Sequence, residues 1–144
     1  MYKKVLVPLD GSELSETILP QVVAVAKPAG AKIILFRVRE PIERGVRETM
    51  GEDLAQKLDA VNQEEMQNYL NKIASDLVKQ GLKTEIATAE GRPAEAIIEY
   101  TERHAIDLIV MATHGRSGIT RWAFGSVAGK VLQVSTVPVL ICPK

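Results

Sequence analysis

Gly115, Gly125 and Ser126 lie between an apolar run and an amphipathic one, a placement suited to holding a phosphate. The residues before them, Ile106, Asp107, Leu108, Ile109, Val110 and Met111, have the composition of a buried strand, and helical spacing of apolar residues begins near Val127. Glycines at a strand-to-helix turn let backbone N–H groups approach an anion, and the helix dipole favours its charge. No Asp or Glu follows Asp107, whereas Arg116, Arg121, Lys130 and Lys144 do. A chain with 18 basic and 18 acidic residues has cleared its last quarter of fixed negative charge, so an anion meets no repulsion there.

The elements that must position this segment follow from the apolar pattern. Five short apolar runs alternate with longer helical stretches. Lys4 to Leu9 reads as the first strand, and Ser12 as the N-cap of a helix carrying Glu13 and Glu16 in its first turn. Leu14, Ile18, Val22 and Val25 recur at helical spacing; Pro20 predicts a kink and Gly30 the stop. Lys32 to Val38 is the second strand, apolar on both faces. The polar stretch from Arg39 to Glu52 reads as a surface loop or a partly helical excursion. A helix from Asp53 to Gln80 follows, with Leu54, Leu58, Val61, Met66, Leu70, Ile73 and Leu77 as its expected apolar stripe. Acids outnumber bases between Glu40 and Glu65, which reads as a solvated face. The third strand, Lys83 to Ala89, is polar enough for a sheet edge. Gly91 and Pro93 open the next helix, whose buried face is expected at Ala94, Ile97, Ile98 and Thr101. The fourth strand spans Asp107 to Met111. The last helix carries Val127, Val131, Leu132 and Ser135, and the fifth strand runs from Val137 to Cys142.

This alternation predicts an α/β fold, a single doubly wound five-stranded parallel sheet of order 3-2-1-4-5 with helices on both faces. Ligands in such sheets bind beyond the carboxyl ends of the strands at the topological switch point. Asp10, after strand one, and the Gly115 loop, after strand four, then face each other across one crevice. The 144 residues suit one domain. Zero net charge argues against nucleic acid as a partner, and no apolar stretch is long enough to span a bilayer. The start, MYKKVLVPLD, is a strand pattern and not a signal sequence. Together these features predict a soluble cytoplasmic protein. The single cysteine, Cys142, reads as a buried structural thiol. Strand five is an apolar edge with Pro138 near its start, and an open edge of that kind is an aggregation hazard. Pairing of two copies through this strand, as a homodimer, removes it.

Known phosphate loops do not fit. The string GSVAGKV from Gly125 is one residue short of a P-loop, with Val131 where a magnesium-binding hydroxyl belongs. A GxGxxG fingerprint is absent. The turn after strand one, Asp10, Gly11, Ser12 and Glu13, is too acidic to hold a phosphate, and no second acid ends strand four to build a carboxylate cluster.

The strings VLVPLDGSELSE, GRPAEAIIEYTERHAIDLIVMATHGRSG and FGSVAGKVLQVSTVPVLICPK together cover much of the chain, and the whole resembles the universal stress protein family. Nucleotide-binding members carry Gly, two residues, Gly, nine residues, then Gly-Ser or Gly-Thr. Here Ala112 stands in the first glycine position, followed by Gly115, nine residues, and Gly125 with Ser126. The resemblance implies an adenine nucleotide alpha hydrolase-like fold and a site for ATP or AMP. In that site Asp10 takes the ribose hydroxyls, with Pro8 and Leu9 beside it. The Val38 backbone reads the adenine edge and Met111 lies under the nucleoside. Gly115, Gly125, Ser126 and the Val127 N–H cradle the phosphates, and any Mg2+ is held through phosphates and water. If the Ala112 position requires positive φ, alanine weakens binding by about 1 kcal/mol; if it requires only little bulk, one methyl is tolerated.

The neighbouring side chains have plainer readings. Arg116 either reaches phosphate or is solvated, Arg121 is solvated, and His114 is a solvated turn residue. Ser117 and Thr120 are turn and cap residues. Trp122 and Phe124 pack on the sheet or on a dimer partner. No nucleophile with an orienting base is visible, so the expected role is regulatory, signalling to a protein partner, with at most slow ATP hydrolysis. The alternative is a dimeric interaction protein of the same fold without nucleotide.

Overall fold

The computed structural model describes residues 1–113 and 124–143, apart from the side chain of Leu14. The expectations placed on Leu14, Gly115, Arg116 and Arg121, with those on His114, Ser117, Thr120, Trp122 and Lys144, therefore lie outside the described residues. Five strands, β1 (Lys4–Pro8), β2 (Lys32–Arg39), β3 (Thr84–Glu90), β4 (Leu108–Ala112) and β5 (Val139–Cys142), form one parallel sheet of order β3-β2-β1-β4-β5. The predicted order is the observed one, and β1, between β2 and β4, marks the switch point.

Alternate residues along each central strand feed two cores. Val5, Val7, Ile33, Leu35 and Val110 face α2 (Leu19–Ala29) and α4 (Glu52–Lys79). Leu6, Ile34, Phe36, Ile109 and Met111 face α5 (Pro93–Arg103) and α6 (Ser126–Val134). Burial on both faces explains why these strands are apolar throughout.

Several boundaries differ from the pattern-based expectation, each for a local reason. Pro20 does more than kink its helix. The chain forms a short α1 (Glu13–Glu16), turns at Thr17 and Ile18, and restarts as α2 with a proline in its first turn, where the missing N–H is no loss. Segment 39–52 contains a helix, α3 (Arg44–Met50). The stripe expected along α4 is buried only in its second half, at Met66, Leu70, Ile73 and Leu77. Leu54, Leu58 and Val61 are 55%, 38% and 51% exposed. A helix of 28 residues is about 42 Å long, whereas the eight residues of β2 span about 26 Å, so one end of α4 overhangs the sheet. Leu132, on α6, is likewise exposed. Phe124 is 53% exposed and is not packed on the sheet within one chain.

Gly11 is the turn residue that strand β1 most needs. Its φ is +86°, and an added Cβ would lie 2.9 Å from Arg37 Nη2. The Arg37 guanidinium itself stacks over the Tyr69 ring, 5.0 Å from the centroid. Gly11→Ala is expected to destabilise the fold by about 1–2 kcal/mol, because a β-carbon disfavours positive φ. Urea unfolding of the variant checks this, and an unchanged midpoint would show that the turn relaxes freely.

Candidate functional site

Beyond the carboxyl ends of β1 and β4 lies a crevice of about 590 Å³. Pro8, Leu9, Asp10, Val38, Met111, Ala112, Gly125, Ser126 and Val127 all line it. The structure thus brings together, from four separate stretches of chain, every described residue that the resemblance assigns to a nucleotide site.

Asp10 is held by its own turn. The Leu9 N–H donates to the Phe36 carbonyl at 2.8 Å, so the sheet ladder continues one residue past β1. The Ser12 N–H donates to Asp10 Oδ1 at 2.9 Å, and the Ser12 hydroxyl donates to the same oxygen at 2.5 Å. The Ser15 N–H donates to Ser12 Oγ at 3.1 Å, which is the N-cap role expected of Ser12. Buried Ser15 accepts from the Asp10 N–H at 3.3 Å and donates to the Ser12 carbonyl at 2.9 Å. A short Asx-type turn therefore fixes the carboxylate at the crevice edge.

At the opposite wall, Gly125 is the N-cap of α6 and offers no side chain to cap it. Its own N–H donates to the Thr113 carbonyl at 2.7 Å, and the Thr113 N–H donates to the Cys142 carbonyl at 3.2 Å. The helix start is thereby tied to the ends of β4 and β5. The N–H groups of Ser126, Val127 and Ala128 belong to the first turn, where no intrahelical acceptor exists, and these three residues line the crevice. A first turn with no side-chain cap among the described residues, facing a cavity, has the geometry that suits an anion.

Ala112 carries no backbone strain. It is the last residue of β4, paired with Cys142, and the only non-glycine with positive φ among the described residues is Ala105. Of the two readings of this position, the one requiring positive φ does not apply; only the bulk of one methyl remains. Cys142 is buried, and burial pushes its thiol up, as suits a structural thiol.

Sequence reasoning missed the outer wall. Arg37, Arg39 and Glu40 at the end of β2, and Asn62, Glu65 and Met66 on α4, also line the crevice. The 62, 65, 66 spacing marks one helix face, yet only packing decides which face meets the cavity. Arg39 donates to Asp59 at 2.7 Å and to Glu90 at 2.6 Å, and Arg47 donates to Asp59 at 3.0 Å and to Glu52 at 2.7 Å. This chain of ion pairs ties α3 and α4 to the sheet edge beside the crevice. Arg47, by its hydrogen bonds, holds the Glu52 and Asp59 carboxyls below their ordinary values. Their contribution to stability is therefore complete above the unfolded pKa near 4 and is lost as pH falls through the lower folded value. In urea unfolding across a pH series, Arg47→Met is expected to be less stable than wild type at pH 7, with the gap closing below about pH 4. A gap independent of pH would remove the ion pairs as its cause.

Among the described residues, no helix is long and apolar enough to cross a membrane, and no cluster of three metal-ligating side chains occurs.

Comparison with known proteins agrees with this geometry. The family model described as the Universal stress protein family matches residues 1–143. Universal stress protein MJ0531 of Methanocaldococcus jannaschii is 33% identical over 146 residues, covering 100% of this chain and 84% of that protein. The solved structure of MJ0577, from the same organism, superposes with a TM-score of 0.86 at 31% identity, covering 100% of this chain and 97% of that one. A universal stress protein solved in complex with cAMP gives a TM-score of 0.71 at 25% identity, covering 99% and 97%. With the sheet order, the switch-point crevice and a match along nearly all of its length, this chain belongs to the universal stress protein family.

Proposed function

We propose that this protein binds an adenine nucleotide, ATP or AMP, in the crevice between β1 and β4, and that occupancy serves regulation. The observation that carries the reading is the pairing of a fixed carboxylate, Asp10, with the first turn of α6, which has no side-chain cap among the described residues, across one cavity. A carboxylate accepts from two adjacent hydroxyls, which suits a ribose; first-turn N–H groups with no side-chain cap among the described residues suit phosphate. Pro8, Leu9 and Met111 supply the apolar contacts of the nucleoside, and the Val38 backbone meets the base. Gly115, Gly125, Ser126 and Val127 take the phosphates, joined by Arg116 if its side chain reaches them. Mg2+ is held through phosphates and water. A 25%-identical universal stress protein solved in complex with cAMP supports nucleotide binding by a protein of this fold.

The protein acts in the cytoplasm as a homodimer joined through β5, and signals through segment 39–52 and the dimer surface to a protein partner. Leu140 and Phe124, both exposed in the single chain, suit burial between copies. Sedimentation tests this directly: the mass of two chains is expected, and the mass of one would remove the dimer. The nucleotide is tested by denaturing the purified protein and separating what it releases. Adenine nucleotide is expected in the supernatant. If none is released and millimolar ATP gives no thermal shift, the protein is the nucleotide-free interaction module instead.

A further inference from the structure

Helix α3 (Arg44–Met50) has little of its own to keep it folded. It is 7 residues long, buries none of them and carries Gly45 in its first turn. A helix this short is marginal in water, because its few bonds do not offset nucleation, and glycine weakens it further. The Arg44–Glu48 pair and the Thr49 bond to the Gly45 carbonyl are internal to the helix and exposed. Among the described residues, every side-chain hydrogen bond or ion pair that leaves α3 is made by Arg47. Its Nε and Nη2 donate to Glu52 at 3.0 and 2.7 Å, and its Nη1 donates to Asp59 Oδ2 at 3.0 Å. The other Asp59 oxygen accepts from Arg39, at the end of β2, at 2.7 Å. The socket for Arg47 is therefore fixed to the sheet and not to α3. Gly51, at φ +87°, separates α3 from α4 and provides a joint between them.

We infer that α3 is an order–disorder switch latched by Arg47: the helix persists while Arg47 bridges Glu52 and Asp59, and melts when that bridge is weakened, with the rest of the fold intact. Release is local because α3 contributes no residue to either hydrophobic core. The three latch side chains are all partly exposed to solvent, so added salt screens them and favours release. Asp59 keeps its bond to Arg39 in the released state, which leaves the socket ready for Arg47 to return. The switch stands whether or not a nucleotide binds. It gives segment 39–52 the two discrete states that a signalling role requires.

The test is amide hydrogen exchange of the full chain, resolved by residue and corrected for intrinsic rates. The reporters are the N–H groups of Arg47 and Gly51, which donate to the Glu43 and Arg47 carbonyls at 2.8 and 3.0 Å. Asp59→Asn and Arg47→Met are each expected to speed exchange at Gly51 by about tenfold, the loss of a charge-assisted hydrogen bond, while the amides of β1 and β2 exchange as in wild type. Raising NaCl from about 0.05 to about 1 M is expected to speed exchange at both reporters in wild type, and either variant to remove most of that dependence. Exchange in α3 that neither variant changes, or that rises only together with β1 and β2, overturns the inference. So does a wild-type α3 already unprotected at low salt.

Discussion

Asp10→Ala is expected to weaken ATP binding by about 10–100-fold, the equivalent of losing charge-assisted hydrogen bonds of roughly 1.5–3 kcal/mol. The carboxylate has two tasks that the variant series separates. One is internal: Oδ1 accepts from both the N–H and the hydroxyl of Ser12. The other is the proposed contact to ribose. Asp10→Asn keeps an oxygen for the Ser12 donors but loses the charge. It is therefore expected to fold with nearly the wild-type midpoint while still binding ATP less well. Calorimetric titration beside thermal unfolding checks both. Equal losses of stability and affinity across the two variants would mean that Asp10 acts on the turn alone.

Phe36→Ala carries the largest expected loss of stability, about 3–5 kcal/mol, as for other fully buried aromatic truncations. Phe36 is 0% exposed in the middle of the sheet, pairs in register with Pro8, and lies 4.8 Å from the Tyr100 ring across the core. The surrounding Leu6, Ile97 and Ile109 are equally buried and belong to a rigid sheet-and-helix layer, so the cavity cannot collapse. The midpoint of thermal unfolding is expected to fall by roughly 10–20 °C. Because Phe36 also lines the crevice, ATP added in excess should recover only part of that loss. A fall of a few degrees would show that the core repacks around the gap.

Much of this architecture is written in local pattern. Strands buried on both faces read as continuous apolar runs, as in Ile33, Ile34, Leu35 and Phe36, and polar Thr84 to Glu90 reads as an edge; sheet order follows from placing them. Glycines announce themselves where φ must be positive, as at Gly30 closing α2. Part of the inner crevice was legible because Asp10 follows β1 and the turn into α6 follows β4, so topology brings them together; Pro8, Leu9, Val38 and Met111 came from the resemblance to the family. The outer wall was not. Whether Asn62 and Glu65 face the crevice depends on the rotation of α4 about its axis, which Met66, Leu70, Ile73 and Leu77 set by packing. The exposure of Leu54, Leu58 and Val61 has the same origin, since periodicity predicts a stripe but says nothing of where the sheet beneath it ends. The ion-pair chain through Arg39 and Arg47 joins residues far apart in sequence, and charge counting along 40–65 suggested only a solvated face.

The central claim, a nucleotide held between Asp10 and the start of α6, is tested most directly by titrating nucleotide-stripped protein with ATP in a calorimeter. Saturable binding of one ATP per chain is predicted, abolished or strongly weakened in both Asp10→Ala and Gly125→Val. Absence of binding at millimolar ATP, or binding that both variants leave untouched, would contradict it.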